Sequence, residues 1–129
     1  MTYIGIALLA IILLLFVFQW HLVRKSRKSI GRVVPELPPE IASTLHEHGK
    51  VLIYFYSPNC GPCRKMTPRI DQAMARHANI FKFDVSQSVD LARLLGVMAT
   101  PTTVCVSGNR IERIDLGALS ETVIEQLIA

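Results

Sequence analysis

The sequence predicts an α/β domain, a central mixed sheet flanked by helices, preceded by one N-terminal transmembrane helix. Three observations predict it. Residues 1–23 contain no Asp, Glu, Lys or Arg. Beyond Arg24, short runs rich in β-branched and aromatic residues alternate with helical segments, the order expected when crossovers build a sheet covered by helices. The last two strands are separated only by a turn at Ser107–Asn109, which places an antiparallel hairpin at one edge. The expected organisation is therefore an anchor at residues 1–23, a basic, Pro-containing linker at 24–37 and a single domain at 38–129. A segment of that length can bury one core.

The first element is "YIGIALLAIILLLFVFQWHLV", Tyr3 to Val23. As a helix it is about 30 Å long, one hydrocarbon core. Tyr3 and Trp20 fall where amphipathic rings settle at headgroup level. A cleaved signal peptide, the rival reading, calls for a charged start, a shorter apolar run and a small-residue exit, whereas this segment ends "FQWHLVRKS". Arg24, Lys25, Arg27 and Lys28 follow the apolar run. The bias of basic residues toward the cytoplasmic side then gives a single-pass protein of the cell membrane with its domain in the cytoplasm. A periplasmic or extracellular domain is the alternative.

The stretch "SIGRVVPELPPE" reads as linker, with a short edge strand at Arg32–Val34. Pro38 and Pro39 open a helix from Glu40 to about His48, which Gly49 closes. "KVLIYFYS" is too continuously apolar for a one-sided strand and suits a central strand covered on both faces. A helix is expected from Cys60, bent at Pro68. "IFKFDV" reads as a second buried strand. "SVDLARLLG" is a short helix with Ser88 as N-cap and Gly96 as stop. The hairpin "TTVCVSGNRIERIDLG" follows, and "SETVIEQLIA" is a last helix capped by Ser120.

Composition excludes some functions. The chain carries 14 Lys and Arg against 10 Asp and Glu, net +4. Four of the basic residues lie in "RKSRK", and beyond Ser29 the two signs balance. No basic face is left for a nucleic acid, which is excluded as a partner. Three cysteines allow at most one intrachain bond, so the fold must rest on burial rather than on a disulfide scaffold.

"YFYSPNCGPCRKM" places Cys60 and Cys63 three residues apart. A cysteine at the start of a helix meets N–H groups without partners and the positive end of the helix dipole, both of which favour the thiolate. Cys60 is so placed, and Arg64 and Lys65 add positive charge. Cys63 follows nearly one turn later, within reach of the first sulfur. Pro62 suits a helix start because its missing donor would be unpaired there. Gly61 leaves room for an approaching chain. The spacing supports attack by Cys60 on a foreign disulfide and release by Cys63. Two other readings compete. Structural zinc takes four ligands, commonly from two such pairs; here His46 and His48 point different ways on their helix and suit its C-terminus, so no metal is expected. An inert staple inside one turn would close almost no loop. Cys105, in mid-strand, reads as a small core residue.

From Glu40 onward the chain resembles thioredoxin. "CGPC", the proline five residues after it (Pro68), "GVMATPTT", and "GNRIERIDLGALS" with Gly117 follow in that family's order. The resemblance implies the thioredoxin fold, with Cys60 as exposed nucleophile and Cys63 as resolving thiol. It implies a cis bond before Pro101, which shapes a substrate groove and excludes metal from the dithiol. It also implies that Thr100 offers its backbone to an extended substrate and its hydroxyl to the Cys60 sulfur. Gly61 and Pro62 complete the substrate-binding set. No cofactor is implied beyond the Cys60–Cys63 redox disulfide. The implied partners are protein disulfide substrates and an upstream dithiol reductant, with the membrane met through the N-terminal helix.

The chain departs from the family at three places. A buried aspartate that helps deprotonate the resolving cysteine is replaced by Tyr54, and a phenol of pKa about 10 is a poor base at neutral pH. Water, or a group near Lys82 or Asp84, would have to serve. Asn59 and Tyr56 stand where the family has tryptophans on its docking surface. Members of that family with Gly-Pro between the cysteines tend to be reducing, so the resemblance implies a disulfide reductase. A disulfide isomerase, a metal-handling protein of the same fold and a binding module without turnover are the alternatives.

Overall fold

The computed structural model describes residues 1–27, 30–34 and 36–129. Lys28, Ser29 and Pro35, all within the expected linker, lie outside the described residues. The elements run α1 (Thr2–Arg27), α2 (Pro39–His48), β1 (Lys50–Tyr56), α3 (Cys63–Arg76), β2 (Ile80–Asp84), α4 (Val89–Leu95), β3 (Thr102–Ser107), β4 (Arg110–Leu116) and α5 (Glu121–Ile128). Helix α1 continues past the apolar run to Arg27. Its segment Thr2–His21 is long and apolar enough to cross a membrane, or to act as a signal sequence.

The four strands form one sheet in the order β2-β1-β3-β4. β1 and β2 are parallel, with α3 as their crossover, while β1–β3 and β3–β4 are antiparallel. β1 is the central strand expected from its sequence, and Val51 through Phe55 are buried. Alternation sends its side chains to opposite faces. Val51, Ile53 and Phe55 join Ile41 and Leu45 of α2 and Leu91 and Leu95 of α4. Leu52 and Tyr54 join Met66 and Ile70 of α3 and Ile124 and Leu127 of α5. The sheet thus has two apolar faces, each covered by two helices.

Several local expectations shift. "IFKFDV" is an edge strand of which only Ile80 is buried. Its apolar pattern reflects packing on one side by Phe81 and Phe83 rather than enclosure. Ser88 precedes α4 but its side chain makes no capping bond, whereas the Ser120 hydroxyl accepts from Val123 N–H at 3.3 Å. Arg32–Val34 is reduced to a single bridge at Val33. Gly49 and Gly96 end α2 and α4 in the left-handed region at φ 74° and 75°, where a Cβ would be strained.

Where α3 meets α5, Arg76 Nη2 and His77 Nε2 approach the two oxygens of Glu125 at 2.6 and 2.8 Å. The Arg76 guanidinium first, and the His77 ring second, hold the Glu125 carboxyl below its ordinary 4.5. A carboxyl whose folded-state pKa is depressed contributes stability above the unfolded value and loses it as pH falls through the folded one. Glu125→Gln is therefore expected to lower the melting temperature slightly at pH 7. The gap between variant and wild type should close as pH is taken below 4.5. Melting followed by circular dichroism across that range checks the sign.

Candidate active site

The dithiol segment is placed by the end of β1. Strand pairing carries the chain to Tyr56, where Ser57, Pro58 and Asn59 turn it back. The Cys60 N–H donates to Ser57 O at 3.2 Å and closes the turn. The helix expected from Cys60 begins instead at Cys63, with Pro62 as its N-cap residue. Gly61 and Pro62 remain in the approach turn, exposed. The electrostatic consequence survives the shift. The Cys63 N–H, the first of α3, donates to Cys60 Sγ at 3.3 Å, while those of Arg64 and Lys65 are taken by Gly61 O and Pro62 O. A free helix donor is therefore aimed at the Cys60 sulfur.

Cys60 and Cys63 are joined as a disulfide, their Cα atoms 5.2 Å apart. Cys60 is half-buried and borders solvent, whereas Cys63 is 3 % exposed. This asymmetry separates their chemistry: an incoming sulfur can reach Cys60 but not Cys63. A groove of about 340 Å³ runs over the pair, lined by Tyr56, Ser57, Pro58, Arg64, Thr67 and Pro68 besides the two sulfurs.

The loop before β3 lies at the same end of the sheet. Phe55 pairs with Thr102, so the chain leaving β1 and the chain entering β3 meet at one end of the sheet. The Thr100–Pro101 peptide bond is cis. Pro101 O accepts the Gly117 N–H at 2.9 Å and Thr102 Oγ1 donates to Ala99 O at 2.6 Å, which fixes the loop to the end of the hairpin. Thr100 lines a neighbouring groove of about 370 Å³ with Met98, Val97 and Val89. The two grooves share Ser57. Among the described residues, the Thr100 hydroxyl makes no hydrogen bond to Cys60 Sγ. The structure therefore brings the dithiol and the Thr100–Pro101 loop to one end of the sheet without that contact.

Beneath the dithiol, Tyr54 is fully buried and its hydroxyl lies 3.0 Å from Thr67 Oγ1. Burial pushes its pKa above the ordinary 10.0, so it is no base at neutral pH. The expected substitutes are also engaged. Lys82 Nζ donates to Asp71 at 2.7 Å, and that hydrogen bond raises its pKa. An Asp84 carboxylate oxygen accepts from Ser86 N–H and Oγ at 2.9 and 2.7 Å. Sequence reading did not single out Thr67 or Asp71. Thr67 could have been found from its spacing, four residues after Cys63 on the same helix face; Asp71 could not, because its partner lies on another element.

Cys105 is 2 % exposed and is the free cysteine of the chain. Burial first, and the Glu112 carboxylate second, push its thiol up to about 12. Among the described residues, no group of three or more His, Cys, Asp or Glu is placed to hold a metal.

Comparison with known proteins agrees with this geometry. The Thioredoxin family model matches residues 37–129. The chain is 30% identical over 83 residues to thioredoxin of Bacillus subtilis, covering 62% of this chain and 80% of that one. Among solved structures it is similar to oxidised mitochondrial thioredoxin 3 of Saccharomyces cerevisiae, with a TM-score of 0.57, 30% identity and coverage of 80% and 96% of the two chains. A thioredoxin variant of Halobacterium salinarum gives a TM-score of 0.62 at 26% identity, covering 72% and 83%.

Proposed function

From the premise that the chain belongs to the thioredoxin family, and so is a thiol–disulfide oxidoreductase, we propose that it is tethered to a membrane by α1 and reduces protein disulfides. The observation that carries this reading is the asymmetry of the pair: a solvent-bordering Cys60 whose sulfur accepts a helix N–H, backed by a buried Cys63. In the reduced enzyme the Cys60 thiolate attacks one sulfur of the substrate. The substrate disulfide breaks, one substrate thiolate leaves, and a mixed disulfide forms. Cys63, once deprotonated, attacks Cys60 Sγ and expels the second substrate thiolate, which leaves the Cys60–Cys63 disulfide. The electron pair has passed to the substrate, whose thiolates take up protons from water. An upstream dithiol restores the enzyme by the same exchange.

The basic residues after the apolar run favour a domain facing the cytoplasm, and a reducing compartment suits a reductase. The grooves beside the dithiol and at Thr100 support a path for an extended substrate segment past the exposed Gly61 and Pro62. Two measurements test the reading. Alkylation of the reduced protein across pH is expected to show Cys60 titrating below the free-thiol value of about 8.5, with Cys105 silent until the protein is unfolded. Titration of Cys60 at or above that value overturns the nucleophile assignment. In intact cells, a membrane-impermeant maleimide is expected to leave the dithiol unlabelled; labelling reverses the assigned topology.

A further inference from the structure

β4 is the edge strand opposite β2, and an edge presents backbone groups in need of partners. The segment that follows the basic stretch supplies them. Gly31 N–H donates to Ile111 O at 2.7 Å, Ile111 N–H donates to Arg32 O at 3.1 Å, and Val34 N–H donates to Asn109 O at 2.9 Å. Val33 makes an antiparallel bridge with Arg110. Side chains fasten the same contact: the Arg110 guanidinium donates to Gly31 O at 2.9 Å, and that of Arg32 donates to Leu94 O on α4. Val34, 8 % exposed, enters the core beside Ile41 and Leu45. Gly31 turns at φ 81°, a conformation that suits glycine.

This docking shortens the tether. Between Arg27, the last residue of α1, and Gly31, the first docked residue, only residues 28–30 intervene. That segment spans at most about 14 Å, whereas a free chain from Arg27 to the start of α2 would span about 40 Å. The six residues of α1 beyond His21 add about 9 Å if they stand clear of the bilayer. Ile111 shares its sheet row with Val106 and Val51. The dithiol follows Tyr56, about 17 Å further along β1.

We propose that residues 31–34 form a strap that holds the domain close to its anchor and thereby restricts the dithiol, among membrane-bound partners, to disulfides lying within about 40 Å of the bilayer surface. The restriction rests on the tethered-reductase reading above. It turns the tether from a passive attachment into a specificity element: disulfides carried higher on tall membrane proteins are out of range.

The test uses the full chain in phosphatidylcholine vesicles, pre-reduced and freed of reductant, so that each molecule carries one electron pair and reduces one disulfide. Reporters anchored in the same vesicles carry a disulfide peptide on helical spacers of about 20 or 80 Å. The short-spacer reporter is expected to react at least about tenfold faster. Inserting twelve Gly and Ser residues between Ser29 and Ile30 is expected to abolish the difference. Gly31→Pro, which cannot adopt the native φ and removes the donor to Ile111 O, is expected to narrow it and to speed hydrogen exchange at the Ile111 and Val34 amides. Dithiobis(nitrobenzoate), a small soluble disulfide, should be reduced equally by all three proteins. Failure to reduce it sinks the oxidoreductase reading, and failure to float with vesicles sinks the anchor. If both hold, a reporter rate independent of spacer, or a difference that survives the insertion, overturns the strap alone.

Discussion

Cys60→Ser is expected to abolish disulfide reduction, whereas Cys63→Ser is expected to complete the first exchange and stop there. The two sulfurs are neighbours in one disulfide, so the contrast comes from their surroundings. Cys60 borders the groove and its Sγ accepts the Cys63 N–H. Serine there keeps the shape but leaves a hydroxyl in place of a thiol, and the thiolate is the nucleophile in disulfide exchange. Turnover is expected to fall to the uncatalysed background. Cys63 is buried beneath its partner and cannot meet a substrate. In Cys63→Ser, Cys60 still attacks, and the mixed disulfide has no internal thiol to resolve it. One substrate per enzyme is then captured and held, visible as a covalent adduct on a non-reducing gel and released by dithiothreitol. Multiple turnovers by Cys63→Ser would show that substrate thiols resolve the adduct, and would assign Cys63 a merely structural place.

Much of the fold was legible because β1 is apolar at five consecutive positions and the helices around it carry clear stops at Gly49 and Gly96. The dithiol was legible from its spacing. What escaped depends on partners distant in sequence. The onset of α3 at Cys63 rather than Cys60 is set by the turn from Ser57, which uses the Cys60 N–H before the helix can. The apolar pattern of β2 does not say whether a second strand will flank it. The clasp between Gly31 and Ile111 joins residues separated by most of the domain, and the short edge strand expected at Arg32–Val34 carries no sign of which strand it meets. Lys82 was visible as a charge near the dithiol, but not that Asp71 engages it.

The strongest departure from the family lies at Tyr54, and it sets the second large effect. Tyr54→Asp is expected to destabilise the domain by about 4 kcal/mol, the scale of emptying a buried aromatic site. The ring packs among Met66, Ile70 and Leu52 on the α3 face and lies against Tyr56 with centroids 6.0 Å apart. An aspartate fills little of that volume and brings a carboxyl into an apolar site, where desolvation raises its pKa. The loss appears in urea unfolding as a midpoint about 2 M lower at unchanged slope. The functional consequence runs the other way. In the wild type, the buried phenol stays protonated and Lys82 is held by Asp71, so removal of the Cys63 proton falls to solvent. The rate of mixed-disulfide resolution should then climb with hydroxide, without an inflection of its own below the thiol's pKa. Tyr54→Asp, under conditions where it remains folded, should gain an inflection at the pH where the new carboxyl ionises and resolve faster above it. Tyr54→Phe separates the two effects. It deletes the hydroxyl that meets Thr67 at 3.0 Å, costs about 1 kcal/mol, and should leave the resolution rate and its pH profile unchanged. A Tyr54→Phe enzyme that resolves tenfold more slowly would show that the proton travels through the phenol after all, by way of Thr67, and that the chain has replaced the family's acid with a hydroxyl relay rather than with water.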